Sequence, residues 1–218
     1  MPRESKADKA KRTAKILGAL KKEYPGAQTA LNFSNPLELL VATVLSAQCT
    51  DVKVNQITPE LFEKYRTAED YANADDQLER IIRPTGFYRN KARSIRKAAR
   101  TIADEHDGKV PQTMKELVAL PGVARKTANI VLGSAFGKNE GMAVDRHVQR
   151  VARRLKLTYR KNNQGDRMEK DLCELVPRKE WTFFGHALVL HGRRYCTARN
   201  PKCDECPLAK LCPSAGKV

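Results

Sequence analysis

Along most of the chain, apolar residues recur at the three- and four-residue spacing of a helix face rather than at every second position. Ile16, Leu17, Leu20 and Tyr24 make one apolar face, with Lys11, Lys15 and Lys22 away from it, which predicts an amphipathic, basic first helix. Asn35-Pro36-Leu37-Glu38 supplies a cap, a first-turn proline and a glutamate three residues after the cap. The run from Leu39 to Ala47 that follows is apolar on all sides, so it reads as a helix buried in a core. Similar starts stand at Thr67-x-x-Asp70 and Thr113-x-x-Glu116, and Asn90 to His106 sets Ile95, Ala99 and Ile102 on one face before Gly108. Alternating strand patterns with hairpin signals between them are missing, and Asp107-Gly108 closes a helical pattern instead. The pattern predicts an all-α fold, with no repeat or low-complexity segment beyond a basic N-terminus and a short C-terminal tail.

Composition sharpens this picture in two places. The 218 residues, 41% of them apolar, suffice for one large domain or two small ones with a genuine core. Lys plus Arg number 41 against 25 Asp plus Glu, a formal charge of +16 spread through the chain, which favours a polyanionic partner. A solvated basic surface would give the same count, so charge leaves the choice to motifs. The N-terminus, Met1-Pro-Arg-Glu-Ser-Lys-Ala-Asp-Lys, has no apolar core of a signal peptide, and the longest apolar stretch contains Thr43 and Ser46. An intracellular, cytoplasmic protein with no membrane partner is expected. Of the six cysteines, four crowd into residues 196 to 212, where reduced thiols point to metal rather than to disulfides.

Chemistry concentrates in three places. Leu117 to Leu132 reads as a helix, a Pro121-Gly122 turn and a second helix opening near Arg125. A turn feeding a helix N-terminus presents unpaired N–H groups and the positive end of the macrodipole, an anion site suited to a DNA phosphate. An ordinary helix-turn-helix connection would look the same. Lys126 falls in the first turn of that second helix, where the dipole and Arg125 both oppose a further positive charge, so it is a candidate nucleophile as well as a candidate phosphate contact. Asp145 precedes the helical pattern Val148, Val151, Leu155: it is a natural N-cap, and also a carboxylate that could stabilise positive charge at a sugar carbon. The third place is Cys196-x6-Cys203-x2-Cys206-x5-Cys212, an irregular stretch carrying Pro201, Pro207 and Pro213. Four thiolates there suit either zinc or an iron-sulfur cluster.

Taken together and in this order, these motifs make the chain resemble the endonuclease III family of helix-hairpin-helix DNA glycosylases, almost end to end. Leu120-Pro-Gly-Val-Ala-Arg-Lys-Thr-Ala-Asn129 matches the family hairpin, Ala143-Val-Asp145 its catalytic aspartate segment, and the cysteine spacing its 4Fe-4S loop. Leu45-Ser-Ala-Gln48 and Thr85-Gly-Phe-Tyr88 fall where the family has its lesion-probing loops. The resemblance implies a six-helix domain over roughly residues 29 to 139 and a cluster domain built from residues 1 to 28 and 140 to 218, with damaged DNA in a cleft between them. It implies a monomeric, nucleoid-associated enzyme that removes oxidised pyrimidines from double-stranded DNA and cleaves abasic sites. Lys126 would be the nucleophile and Asp145 the assisting carboxylate. Cys196, Cys203, Cys206 and Cys212 would hold the cluster, and Gln48 and Phe87 would fill the gap left by the extruded nucleotide. Leu120, Gly122, Val123, Ala124, Arg125 and Arg146 would lie against DNA.

Two positions depart from the family pattern. Ala124 stands where a second hairpin glycine is usual, which predicts either a left-handed residue under strain or a relaxed turn; Arg146 stands where a small hydroxyl residue is usual, adding charge beside Asp145. Two other functions compete. A monofunctional mismatch glycosylase of the same superfamily would lack the hairpin lysine and carry a further C-terminal domain, against Lys126 and a chain ending six residues after Cys212. A non-catalytic DNA-binding module would not need both Lys126 and Asp145.

Overall fold

The computed structural model describes residues 4–161 and 163–218, and among them every regular element is helical. In chain order the α-helices are α1 (Lys6–Glu23), α2 (Pro36–Leu45), α3 (Asp51–Lys64), α4 (Ala68–Ala72), α5 (Asp76–Ile82), α6 (Tyr88–Glu105), α7 (Met114–Ala119), α8 (Arg125–Phe136), α9 (Arg146–Arg154), α10 (Gly165–Cys173) and α11 (Trp181–Arg194). The chain forms two compact units, Thr29–Glu140 and Met1–Gln28 with Gly141–Val218.

The first of these units holds seven helices among the described residues, α2 to α8, or six longer ones when the five-residue α4 is set aside. Its centre is α2, whose Leu37 and Leu39 to Leu45 are all buried, as the all-round apolar run predicts. Asn35 Oδ1 accepts from the Glu38 N–H at 3.0 Å, while the Glu38 carboxylate reaches back to the Ser34 N–H. Thr67 and Asp70 form the reciprocal capping box, and Thr113 caps α7 through the Glu116 N–H at 3.2 Å. Helix α6 buries Ile95, Ala99 and Ile102 and stops in a left-handed pair, Asp107 and Gly108, with the Gly108 N–H returning to Ile102 O at 3.0 Å. That closing bond is the helix-ending motif expected of a glycine past the last turn.

A second, separate core fills the other unit: Ile16 and Leu20 of α1, Val148 and Val151 of α9, Met168 and Leu172 of α10, and Phe184 and Leu188 of α11. The predicted face of α1 is the buried one, while Lys11, Lys15 and Lys22 are exposed. Among the described residues no helix is long and apolar enough to cross a membrane.

Candidate active site and cysteine loop

The hairpin is the connection between α7 and α8. Leu120 and Val123 are 2% and 5% exposed, so their side chains anchor the turn in the core and only their main chain can meet a ligand. The Val123 N–H closes the turn onto Leu120 O at 3.1 Å. Between them Gly122 sits at φ +81°, and a Cβ there would lie 2.6 Å from Ser94 Cβ on α6. Left-handed backbone and close approach both demand glycine at this position. Ala124, by contrast, has φ −85° and ψ 164°, ordinary extended backbone. The expected strain at Ala124 is therefore absent, because the residue is the N-cap of α8 rather than part of the left-handed turn, and the hairpin's one left-handed position is already a glycine.

Helix capping singles out two N-termini in this unit. Helices α2, α3, α4, α5 and α7 begin at Asn35, Thr50, Thr67, Asp75 and Thr113, each of whose side chains accepts from a first-turn N–H. Helix α8 begins at Ala124 and α6 at Phe87, and neither has a side-chain cap. First-turn N–H groups have no intrahelical carbonyl, so an uncapped start leaves them for an external acceptor. Gly122, Ala124 and Lys126 are exposed at the start of α8, and Arg125 is half-buried. The turn, the uncapped N–H groups and the lysine thus converge on one surface.

Both candidate probing residues sit at strained loop tips. Phe87 is 64% exposed at φ 49°, directly after Gly86 at φ 69°; Gln48 is exposed at φ 55°. A large side chain held left-handed and pointing to solvent has no folding reason to be there, and such strain gathers at functional positions.

Asp145 lies in the other unit as the N-cap of α9. Its Oδ1 accepts from the N–H groups of His147 at 2.8 Å and Val148 at 2.9 Å, which fixes the orientation of a half-buried carboxylate. Arg146 follows it, exposed, in the first helical turn.

In the same unit the four clustered cysteines line one recess, together with Val151, Arg154, Leu155, His191 and Leu208 among others. Apart from a 3-10 turn at Ala209–Leu211 the segment is irregular. Two arginines of α9 grip it: Arg150 Nε donates to Cys196 O at 2.9 Å, and Arg154 Nη1 donates to Thr197 O at 2.6 Å and to Cys196 Sγ at 3.4 Å. His191 Nε2 stands 3.4 Å from Cys206 Sγ. Burial, and after it the charge of neighbouring thiolates, pushes the Cys206 and Cys212 thiols up, so four thiolates gathered here call for a positive core among them. Among the described residues no three Cys, His, Asp or Glu side chains converge as ligands of a single ion would. The recess supplies four thiols, the donor set that a zinc ion or an iron-sulfur cluster takes.

Comparison with known proteins agrees with this geometry. Residues 41–178 match the model of the HhH-GPD superfamily of base excision DNA repair proteins, and residues 196–212 match the iron-sulfur binding domain of endonuclease III. The endonuclease III of Synechocystis sp. is 52% identical over 210 residues, 96% of this chain and 95% of that protein. The chain belongs to the endonuclease III family. The family's protein from Bacillus subtilis is 45% identical over 89% of this chain and 88% of its own. A solved trapped endonuclease III–DNA covalent intermediate superposes with a TM-score of 0.88 at 44% identity, covering 94% of this chain and 96% of that one. The cofactor of the cysteine loop is a 4Fe-4S cluster, as the family resemblance implies.

Some residues that shape these features escape a sequence reading. Arg150 and Arg154 are spaced one turn apart on α9 and look like solvated cations, yet both are half-buried against the loop. Lys91 is 6% exposed, and its spacing offers a signal: it stands four residues before Ile95, in register with the buried face of α6. A lysine on an apolar stripe either snorkels out or finds buried acceptors.

Proposed function

We propose that this base excision repair enzyme removes oxidised pyrimidines from duplex DNA and nicks the resulting abasic site through a Schiff base on Lys126. The observation that carries the reading is Lys126 itself, an exposed amine in the first turn of an uncapped helix, four residues after the left-handed Gly122. A phosphate held by the turn and by first-turn N–H groups of α8 would keep the deoxyribose within reach of that amine.

The chemistry follows from what such an amine can do. A damaged base inside a duplex is out of reach and must be turned out of the stack, leaving a gap that Gln48 and Phe87 fill. Lys126 Nζ then bonds to the sugar C1′ as the C1′–N bond to the base breaks with the electron pair leaving on the base. Loss of a proton and ring opening give an iminium, whose positive nitrogen acidifies the 2′-hydrogen. Removal of that proton expels the 3′-phosphate by β-elimination, so one lysine serves both excision and strand cleavage. Asp145, oriented by two N–H groups on Oδ1, is the carboxylate that stabilises positive character at C1′. Cys196, Cys203, Cys206 and Cys212 hold the 4Fe-4S cluster, which when bound cross-links the loop and neutralises thiolate charge.

Borohydride reduction of the enzyme with duplexes bearing an abasic site or an oxidised thymine tests this. A covalent adduct is expected with the native protein and is lost in Lys126→Gln, which still binds DNA. An undiminished adduct in Lys126→Gln would move the nucleophile elsewhere; base release with no adduct marks a monofunctional glycosylase, and neither product marks a DNA-binding module.

A further inference from the structure

Gln48 and Phe87 lie on loops far apart in sequence, and one buried side chain touches both. Lys91 Nζ donates to Leu45 O at 2.8 Å and to Thr85 O at 2.8 Å. Leu45 closes α2 three residues before Gln48, and Thr85 stands two residues before Phe87. The main chain of Lys91 adds a third tie, its N–H donating to Phe87 O at 3.1 Å. The segment of Gly86 and Phe87 is thus bracketed by the side chain and the main chain of a single residue.

Leu45 O belongs to the last turn of α2, where carbonyls lack intrahelical donors and need one from elsewhere. Ordinarily water or a capping turn provides it. Here the donor is an ammonium drawn from the core-facing stripe of α6, at a position where a methionine or leucine would pack in the row of Ile95 and Ala98. A buried charge must keep its acceptors, so displacing either loop alone leaves the ammonium short of a partner. The two loops are coupled by that requirement.

We propose that Lys91 is a positioning residue that fastens the Gln48 loop to the Phe87 loop, so that the two side chains enter the duplex as one wedge. The assignment rests on the reading of Gln48 and Phe87 as gap-filling residues. It adds that their contributions are not independent, and that the left-handed tips hold their conformation in free protein because Lys91 holds the backbone behind them.

The test is a double-mutant cycle of Gln48→Ala and Phe87→Ala, read as single-turnover excision from a duplex with one oxidised thymine and as cleavage of a preformed abasic site. In the native background the double variant should lose less than the product of the single losses, since either truncation already spoils the shared wedge. In Lys91→Met, which keeps the apolar stem and removes the donors, the losses should multiply. Lys91→Met alone should slow duplex excision by about fivefold, the low end of what stacking one base on an aromatic ring contributes, and abasic cleavage by much less. Lys91→Arg, with donors that can still reach two carbonyls, should restore part of the coupling. Coupling that survives in Lys91→Met, or equal slowing of both substrates, overturns the proposal while leaving the wedge reading intact. Single truncations that do not favour one substrate over the other sink the wedge reading and this proposal with it. Should Lys91→Met not accumulate, the cycle is run in Lys91→Gln, whose shorter side chain cannot span both carbonyls, with the same deciding outcomes.

Discussion

The hairpin at Leu120 to Lys126 and the cysteine loop at Cys196 to Cys212 are both short irregular segments on all-helical units, yet they are held by different forces. The hairpin is set by the chain itself: Leu120 and Val123 are sunk in a core, Gly122 fits against Ser94, and helices enter and leave directly. Across the cysteine loop only Leu208 is fully buried, and the segment hangs instead on arginine side chains and on thiols that repel one another once ionised. Apolar burial and turn sterics suffice for the five residues between two helices. Where neither is present, a covalent centre takes their place.

The largest effect that could break this contrast is loss of one cluster ligand. Cys203→Ser should abolish bound iron and the visible absorbance that goes with it, at a cost to the stability of the unit exceeding about 4 kcal/mol, the scale reserved for loss of a metal or a buried network. Hydrogen exchange should then show residues 196–212 unprotected, with residues 117–132 still protected. An iron-free variant whose loop stays protected would mean that the arginine contacts alone hold it, and the two regions would no longer differ in kind.

Next comes Gly122→Ala, which attacks the hairpin where its own sterics are tightest. A left-handed alanine costs about 1–2 kcal/mol and the 2.6 Å approach to Ser94 Cβ adds an overpacking penalty of about 1–3 kcal/mol, so roughly 2–5 kcal/mol of stability should go. Adding Ser94→Gly removes the clash but not the left-handed strain. The double variant should regain more than Ser94→Gly alone predicts by addition, measured by chemical denaturation. Simple additivity would remove steric fit from the account of the hairpin.

These two segments also show what a sequence discloses. Helix starts at Asn35, Thr67, Thr113 and Asp145, and the buried run of α2, were legible because caps and periodicity are local chemistry. The family was legible from motif order. The backbone of Ala124 was not: whether a hairpin's left-handed residue falls at 122 or 124 depends on where α8 nucleates, and two glycine-like positions two apart give one sequence signal. Lys91, Arg150 and Arg154 were hidden for a different reason. Each is a cation on a basic chain, and only the packed structure shows that its acceptors are carbonyls of a distant loop.

Phe87 separates strain from support, the two ingredients that the hairpin combines. Its ring is exposed, so it contributes little to the core, and its left-handed φ of 49° is a burden to folding. Phe87→Gly should relieve on the order of 1 kcal/mol of strain and hold or raise the melting temperature. Excision from an intact duplex should nevertheless weaken by an amount corresponding to about 1–3 kcal/mol, with a smaller effect on a preformed abasic site. A melting temperature that falls together with both activities would mark Phe87 as a packing residue and end its role as a wedge.

The smallest effects belong to Ala124, and they bear on why α8 starts without a side-chain cap. With φ at −85° there is no left-handed strain for Ala124→Gly to release. At an N-cap, glycine is favoured over alanine by a margin similar to what it loses through unfolded-state entropy, so stability should stay within about 0.5 kcal/mol. Affinity for abasic-site DNA should then rise by less than about tenfold, and only to the extent that the exposed Cβ holds a phosphate away from the N–H groups. Ala124→Ser asks the opposite question of the same atoms. A serine hydroxyl would accept a first-turn N–H as Thr113 does for α7, raising stability by about 0.5–1 kcal/mol, but it would also compete with phosphate for that donor. Melting and binding should therefore move in opposite directions in Ala124→Ser, a more stable protein holding abasic DNA several-fold less tightly. If instead both rise, the N–H groups at the start of α8 are not where the phosphate binds, and the missing cap is an ordinary gap in an otherwise well-capped unit.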